Sequence, residues 1–355
     1  MFAVVGNTGV IKPGSRNNTG NLVHAVTALR MLAGPHKGVN VFRPLTDKEV
    51  DFVNTRCSHL VYIAANFLRL NTDSLVQAHR TFADNLERLS VPVVVFGLGA
   101  QAPSYSSDNL EIPEESKRLF RLIGERSEQI AVRGPFTAEV LATIGVTNTV
   151  VTGCQSAFWR MTPTFTGTIP APSTKRVVFN HTGPWREYPL IRRAMDHGWE
   201  NIGQMHWAEE TLKNDGDAGE LDEQYGKLFA AGHLDRDQYI AYISKSFYKF
   251  YDLDEWIEHL RGATFSFGTR FHGNMAALHA GVPALWVTHD SRTLELCEHL
   301  GLPHVSLQDA RHLSNDELVA RADFGPFLRK YSDNYRTFFE YVERAGLAHA
   351  LQRPE

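Results

Sequence analysis

Two doubly wound, parallel α/β domains facing across a cleft are predicted for this 355-residue chain by three observations. Short β-branched apolar runs alternate with longer helical patterns along the chain. One run, VPVVVFGLGA (91–100), is continuously apolar, as a central parallel strand covered on both faces must be. The alternation stops at MTPTFTGTIPAPSTK (161–175), rich in Pro, Thr and Ser, and then begins again. The predicted division is a first domain over 1–160, a linker over 161–175, a second domain over 176–323 and a helical segment over 324–355.

In the first half, FAVVG (2–6) reads as a strand and 20–34 as a helix, with Leu22, Val26, Leu29 and Leu32 at helical spacing. HLVYIAA (59–65) is a buried strand, and 72–88 and 114–127 are helical. QIAVRG (129–134) is a strand. The helix PFTAEVLATIG (135–145) opens on proline and stops at glycine, and NTVVTG (148–153) is a strand.

In the second half, strands are expected at 175–180, 201–207, 264–268 and 282–288, and helices at 184–198, 252–263, 273–281 and 291–301. Ser291 is the expected N-cap of the last of these. Residues 208–250 are acidic and glycine-spotted, then helical, and resist a clear assignment; 324–350 is helical.

Hydrophobic residues make up 43% and charged residues 21%, so each half can bury a core. A net charge of -4 favours neither nucleic acid nor an acidic membrane, and local arginines must do any anion binding. Three cysteines without zinc-ribbon spacing suit a reducing compartment. No apolar stretch reaches the length of a membrane span, and the N-terminus reads as a strand rather than a signal peptide. A soluble cytoplasmic protein is expected, with room for peripheral association at the inner face of a membrane. Sixteen histidines are scattered, with no HExxH, DxD or clustered carboxylates, so no metal or cofactor is expected. His24, His36, His59, His79, His197, His233 and His259 read as surface or capping residues, and Cys154 as a small buried residue with no general base near it in sequence.

The sharpest chemical segment is FSFGTRFHGNMAALHAGVPALWV (265–287). A strand ends at Gly268, a polar turn holds Arg270 and His272, and a helix follows from Gly273. A guanidinium, an imidazole and free helix N–H groups at one strand end suit an anion and proton transfer. The competing reading is a structural turn with a capping histidine. Arg133 ends another strand before a helix, though a lone arginine is often a surface ion pair. Asp290, Arg292 and Glu295 surround a further helix start; Arg292 and Glu295 could equally pair at i,i+3. The segment GNTGVIKPGSRNNTGNLVHA (6–25), with Asn18 and Gly20, allows close backbone approach to a ligand but is neither a dinucleotide fingerprint nor a Walker loop. Gln101 follows the strongest strand, and His181 and Trp185 follow another, where they suit hydrogen bonding to and stacking on a sugar.

NNTGNL (17–22), VRGPFTAEVL (132–141) with TGC (152–154), GTRFHGNMAALHAGVPAL (268–285) and HDSRTLELCEHLGLP (289–303) together resemble the polysaccharide pyruvyl transferase family. The resemblance implies a GT-B-like pair of Rossmann-like domains. It also implies transfer of the pyruvyl unit of phosphoenolpyruvate, as donor substrate, to a hexose of a glycan or glycolipid precursor, forming a ketal. It places active-site residues at His272 and Arg270, a further arginine at Arg133 and a basic residue at Arg292, where some members carry lysine. Phe271 stands where other members have leucine or another apolar residue, and the acidic stretch 208–235 has no counterpart. Gly273 at the helix start joins Arg133, Arg270 and Arg292 as the expected donor-binding set. Asn18, Gly20, Gln101, His181, Trp185, Asp290 and Glu295 are the expected cleft or acceptor residues. Two other readings share the architecture: a glycosyltransferase using a nucleotide sugar, and a non-catalytic glycan- or anion-binding protein.

Overall fold

In the computed structural model, which describes residues 1–102 and 110–355, the strand–helix alternation closes into two six-stranded parallel sheets. The first half supplies β1 (Phe2–Gly6), β2 (His36–Gly38), β3 (His59–Ile63), β4 (Leu68–Arg69), β5 (Val93–Leu98), β6 (Ala100–Gln101), β7 (Ile130–Val132) and β8 (Thr149–Val151). The main sheet runs β2-β1-β3-β5-β7-β8, and β4 pairs β6 separately. All six residues of β5 are buried, as its unbroken apolar sequence requires. The intervening helices are α1 (Asn21–Met31), α2 (Asp47–Arg56), α3 (Val76–Arg88), α4 (Glu114–Arg126) and α5 (Pro135–Thr143).

The second half supplies β9 (Val177–Asn180), β10 (Glu200–Gly203), β11 (Phe247–Lys249), β12 (Phe265–Gly268), β13 (Ala284–Thr288) and β14 (His304–Ser306), in the order β11-β10-β9-β12-β13-β14. Its helices are α6 (Pro184–Asp196), α7 (Trp207–Asp215), α8 (Gly219–Ala230), α9 (Arg236–Ser246), α10 (Leu253–Leu260), α11 (Phe271–His279), α12 (Ser291–Leu300), α13 (Leu307–Ala310), α14 (Asn315–Ala320) and α15 (Gly325–Arg344). The strand order reverses direction between β9 and β12. Open α/β sheets bind ligands at such a switch point, outside the carboxyl ends of the strands.

Residues 161–175 hold neither helix nor strand. The chain then returns: α15 packs on the first domain, where Tyr341 Oη donates to Val95 O at 2.6 Å and accepts Val95 N–H at 3.0 Å, and Phe338 meets Phe96. One apolar core joins the halves, with Val23 and Ala28 of α1 in the same cluster as Met275 and Ala276 of α11.

Several expectations are corrected. The unclear stretch 208–250 is three helices and an edge strand, with Leu212, Tyr225 and Tyr239 in the core. Helix α2 lay unread, although Thr46 and Glu49 form a capping box, a pattern visible in the sequence. Asp290, not Ser291, caps α12: its carboxylate accepts Thr293 N–H at 2.8 Å. Helix α11 begins at Phe271, two residues before the expected Gly273. His24 and His79 are fully buried rather than at the surface; both nitrogens of His79 are satisfied, by Ser116 Oγ at 2.7 Å and Phe67 O at 3.0 Å.

Candidate active site

Strand β12 ends at Gly268, whose φ of 151° and lack of a side chain are both required: a Cβ there would lie 1.8 Å from Asn180 O. The close approach locks the turn after β12 onto the end of β9. Asn180 Oδ1 accepts Arg270 N–H at 2.9 Å, and Asn180 Nδ2 donates to Asn274 Oδ1 at 2.8 Å. Asn274 Nδ2 in turn donates to Gly268 O at 2.9 Å. These buried amides satisfy a strand–helix junction that would otherwise leave backbone groups unpaired.

The turn directs Arg270 into a cleft of about 1070 Å³ between the domains. Arg270 Nε donates to His181 O at 2.9 Å and Nη2 to Thr182 O at 3.3 Å. Among the described residues no carboxylate forms an ion pair with it, although Glu187 lies near. Burial lowers its pKa to about 10, with Glu187 opposing and Arg292 reinforcing, so it stays cationic at neutral pH. Glu187 secures the facing turn by accepting Thr182 N–H at 3.1 Å, Gly183 N–H at 2.9 Å and the Thr269 hydroxyl at 2.6 Å.

Arg292, in the first turn of α12, also lines the cleft and pairs with Asp290 at 3.0 Å. Its stem and that of Arg133 flank Gly99, where a Cβ would meet Arg133 Cδ at 2.8 Å and Arg292 Cγ at 3.5 Å. Arginines of both domains thus converge on one glycine of the β5–β6 turn. Arg133 is only 2% exposed; its Nε donates to Gly97 O at 2.8 Å and its Nη2 has no partner among the described residues. Burial lowers its basicity, with Cys154 opposing that and Arg292 adding to it.

His272 is 9% exposed and lies behind the cleft wall, in the seam between the domains. Its ring stacks on His24 of α1, with centroids 4.6 Å apart and planes at 15°. Its Nε2 lies 3.5 Å from Cys154 Sγ, so the cysteine has an imidazole beside it after all. Burial drives the His272 pKa well below its ordinary value, and His24, Arg133 and Arg292 add to the effect. The ring is therefore neutral at physiological pH.

Of the residues singled out in the sequence, Asn18, Gln101, Trp185, Arg270, Asp290 and Arg292 line the cleft. Arg133 and His272 lie just behind it, close enough to Arg292 to feel its charge. Gly20 and Gly273 do not face it: both pack against the side chain of Gln204, and Gly273 N–H already donates to Arg270 O at 3.1 Å, because the helix starts earlier than expected. His181 is buried behind Arg270, its carbonyl rather than its ring making the contact. Glu295 is drawn away from the cleft to the N-terminus of α5, where its carboxylate accepts Thr137 N–H at 3.1 Å and the Thr137 hydroxyl at 2.6 Å. Residues not singled out in the sequence also contribute: Asn66, Arg69 and Glu187 line the cleft, and Asn180 and Asn274 hold the turn. Only the position of Asn66 and Arg69 shortly after strand β3 offered a signal.

His181, His206 and Glu209 bring ligand-type atoms within 4.8 Å of one another. The hydrogen-bond pattern argues against a metal there. Gln204 N–H donates to His206 Nδ1 at 3.1 Å, which places the proton of the neutral ring on Nε2, facing His181 Nδ1 at 2.8 Å. Ligation through His206 Nε2 would need an imidazolate. A metal-bound histidine instead donates from its second nitrogen.

The polysaccharide pyruvyl transferase family profile matches residues 18–291. No curated protein matches the chain. Among solved structures, Anabaena HepE in complex with UDP-glucose is 14% identical, with a TM-score of 0.51, over 97% of this chain and 99% of that one. HepE in complex with UDP and glucose is 12% identical, with a TM-score of 0.50, over 97% and 98%. At such identities the likeness establishes the fold, which is GT-B. Among the described residues no helix is long and apolar enough to cross a membrane.

Proposed function

The chain belongs to the polysaccharide pyruvyl transferase family, and from that premise we propose that it moves the pyruvyl group of phosphoenolpyruvate onto a hexose of a glycan or glycolipid precursor. The observation that carries this reading is the group of arginines at the cleft. Arg270 and Arg292 line it, and Arg133 lies just behind, with Arg292 close enough to both for its charge to bear on each. Phosphoenolpyruvate carries a phosphate and a carboxylate on three carbons, so it needs several guanidiniums within a small space. Arg270, free of a carboxylate partner among the described residues, and Arg292 suit the phosphate; Arg133 Nη2, just behind them and unpartnered among the described residues, suits the carboxylate.

In the proposed reaction C3 of the donor gains a proton and C2 takes oxocarbenium character. One sugar hydroxyl forms a bond to C2 and loses its proton. The bond from C2 to the phosphate oxygen breaks, and its electron pair leaves with phosphate. A second hydroxyl of the same sugar then adds to C2, closes the ketal, and its proton goes to phosphate. The two proton movements are coupled: as the first hydroxyl bonds to C2, neutral His272 takes its proton, and the imidazolium, made acidic by burial, passes that proton to C3 in the same step. Arginines stabilise the departing phosphate.

The test is phosphate release from phosphoenolpyruvate in the presence of a glycan acceptor. His272→Ala with unchanged turnover would remove the mechanism. The competing nucleotide-sugar reading takes its support from the HepE complexes with UDP-glucose, a protein of the same fold. It predicts thermal stabilisation by UDP and none by phosphoenolpyruvate.

A further inference from the structure

Five large apolar side chains are exposed among the described residues: Met1, Val10, Trp185, Met205 and Leu328. Two of them, Trp185 at 50% and Met205 at 38%, line the central cleft. A third apolar side chain of the lining, Trp207, opens α7 beside Met205, and its indole N–H is buried with no partner among the described residues. All three belong to the second domain. The first domain contributes mostly polar lining, including Asn66, Arg69 and Gln101, beside the apolar Leu70 and Ala102. Among the described residues Arg69 Nε is buried without a partner, and Asn66 Nδ2 donates to Gln101 Oε1 at 2.6 Å.

A phosphoenolpyruvate molecule is far too small for a cleft of about 1070 Å³ and has no broad apolar face to offer. A hexopyranose has both features the remaining lining matches: a patch of C–H bonds on one face and a rim of hydroxyls. Exposed tryptophan stacks on such a C–H patch, while polar side chains and unpaired donors take the rim. Leaving apolar surface in water inside a cleft is unfavourable unless a ligand covers it. Ketal formation needs two hydroxyls of one ring to reach the same carbon. A ring held by its face presents its edge, and so two neighbouring hydroxyls, toward the arginines.

We infer that Trp185, Met205 and Trp207 form the acceptor subsite, receiving the C–H face of a hexopyranose whose hydroxyl edge turns toward Arg270 and Arg292. The inference rests on the transferase reading for its acceptor, but it is tested without turnover.

The probes are methyl β-D-galactopyranoside and methyl β-D-glucopyranoside, titrated against the full chain while tryptophan fluorescence and thermal stability are followed. At least one glycoside should perturb the wild-type signal. Trp185→Ala should weaken it about tenfold, and Trp185→Phe, which keeps a stacking face, should restore most of the loss. Trp185 is half exposed, so its replacement leaves the core intact. The shift caused by phosphoenolpyruvate should be the same in all three proteins. Equal glycoside affinity in wild type and Trp185→Ala, or no response of the wild type to either glycoside, overturns the subsite. Glycoside binding through Trp185 without any response to phosphoenolpyruvate would leave the subsite standing and remove the proposed donor.

Discussion

The carboxylate of Glu295 on α12 accepts both the backbone N–H and the hydroxyl of Thr137 on α5, at 3.1 and 2.6 Å, and so caps a helix of the other domain. Gly134 at the N-cap of α5 has no side chain to do this, and a Cβ there would lie 2.5 Å from Glu295 Oε2. The contact couples the two halves at the rear of the cleft, next to Arg133. Burial raises the pKa of Glu295 to about 7, although the two bonds from Thr137 oppose the shift.

A carboxyl with a raised folded pKa stabilises the fold fully below its unfolded value and progressively less as pH climbs to the folded one. The advantage of wild type over Glu295→Gln should therefore shrink between about pH 4.5 and pH 7 and stay constant above. The whole change should be roughly 3 kcal/mol. Urea unfolding of both proteins across that range measures it, and parallel curves would show that Glu295 does not titrate there.

Burial lowers the pKa of His24 and His279 to about 3 and of His79 and His181 to about 4, although bonds to the Phe67 and Ser156 carbonyls oppose the shift at His79 and His279. For these groups the sign is reversed. The unfolded chain takes up their protons first as pH falls through about 6.5, so the fold loses stability from there downward. Thermal unfolding should show a steep acid decline beginning near pH 6.5. His79→Gln, which removes one such group, should lessen the slope.

Gly268→Ala should not be tolerated. Its Cβ would overlap Asn180 O, at 1.8 Å, and the backbone cannot move without releasing the Asn180–Arg270 bond. A loss of at least about 3 kcal/mol is expected in denaturant unfolding.

Arg270→Ala should weaken phosphoenolpyruvate binding at least about tenfold, the loss of charge-assisted bonds worth about 1.5–3 kcal/mol. Arg292→Lys keeps the charge near Asp290 but gives up the planar fork, and a smaller loss is expected. Calorimetric titration of the three proteins orders them.

The pH profile of the transfer provides a separate check on His272. Its ring stays neutral far below the ordinary histidine range, so turnover should not fall as pH drops from 7 to 6 on its account. An acid limb centred near 6.5 would assign that role to a different group.

The amino-acid sequence by itself determined the alternation of strands and helices and the turn that carries Arg270. Each depends on local periodicity, on punctuation by Gly and Pro, or on the chemistry of neighbours in the chain. It left 208–250 obscure because three short helices there bury an acid, Glu209, whose carboxylate accepts the Tyr225 and Tyr239 hydroxyls from the two later helices. It also marked His272, Glu295 and His181 without showing which way they face. Only the tertiary structure decided that His272 stacks on His24 from the other domain, that Glu295 leaves the cleft for Thr137, and that Arg69 enters it. Strand order sets these juxtapositions, bringing together positions more than a hundred residues apart, and no local pattern encodes which buried face meets which.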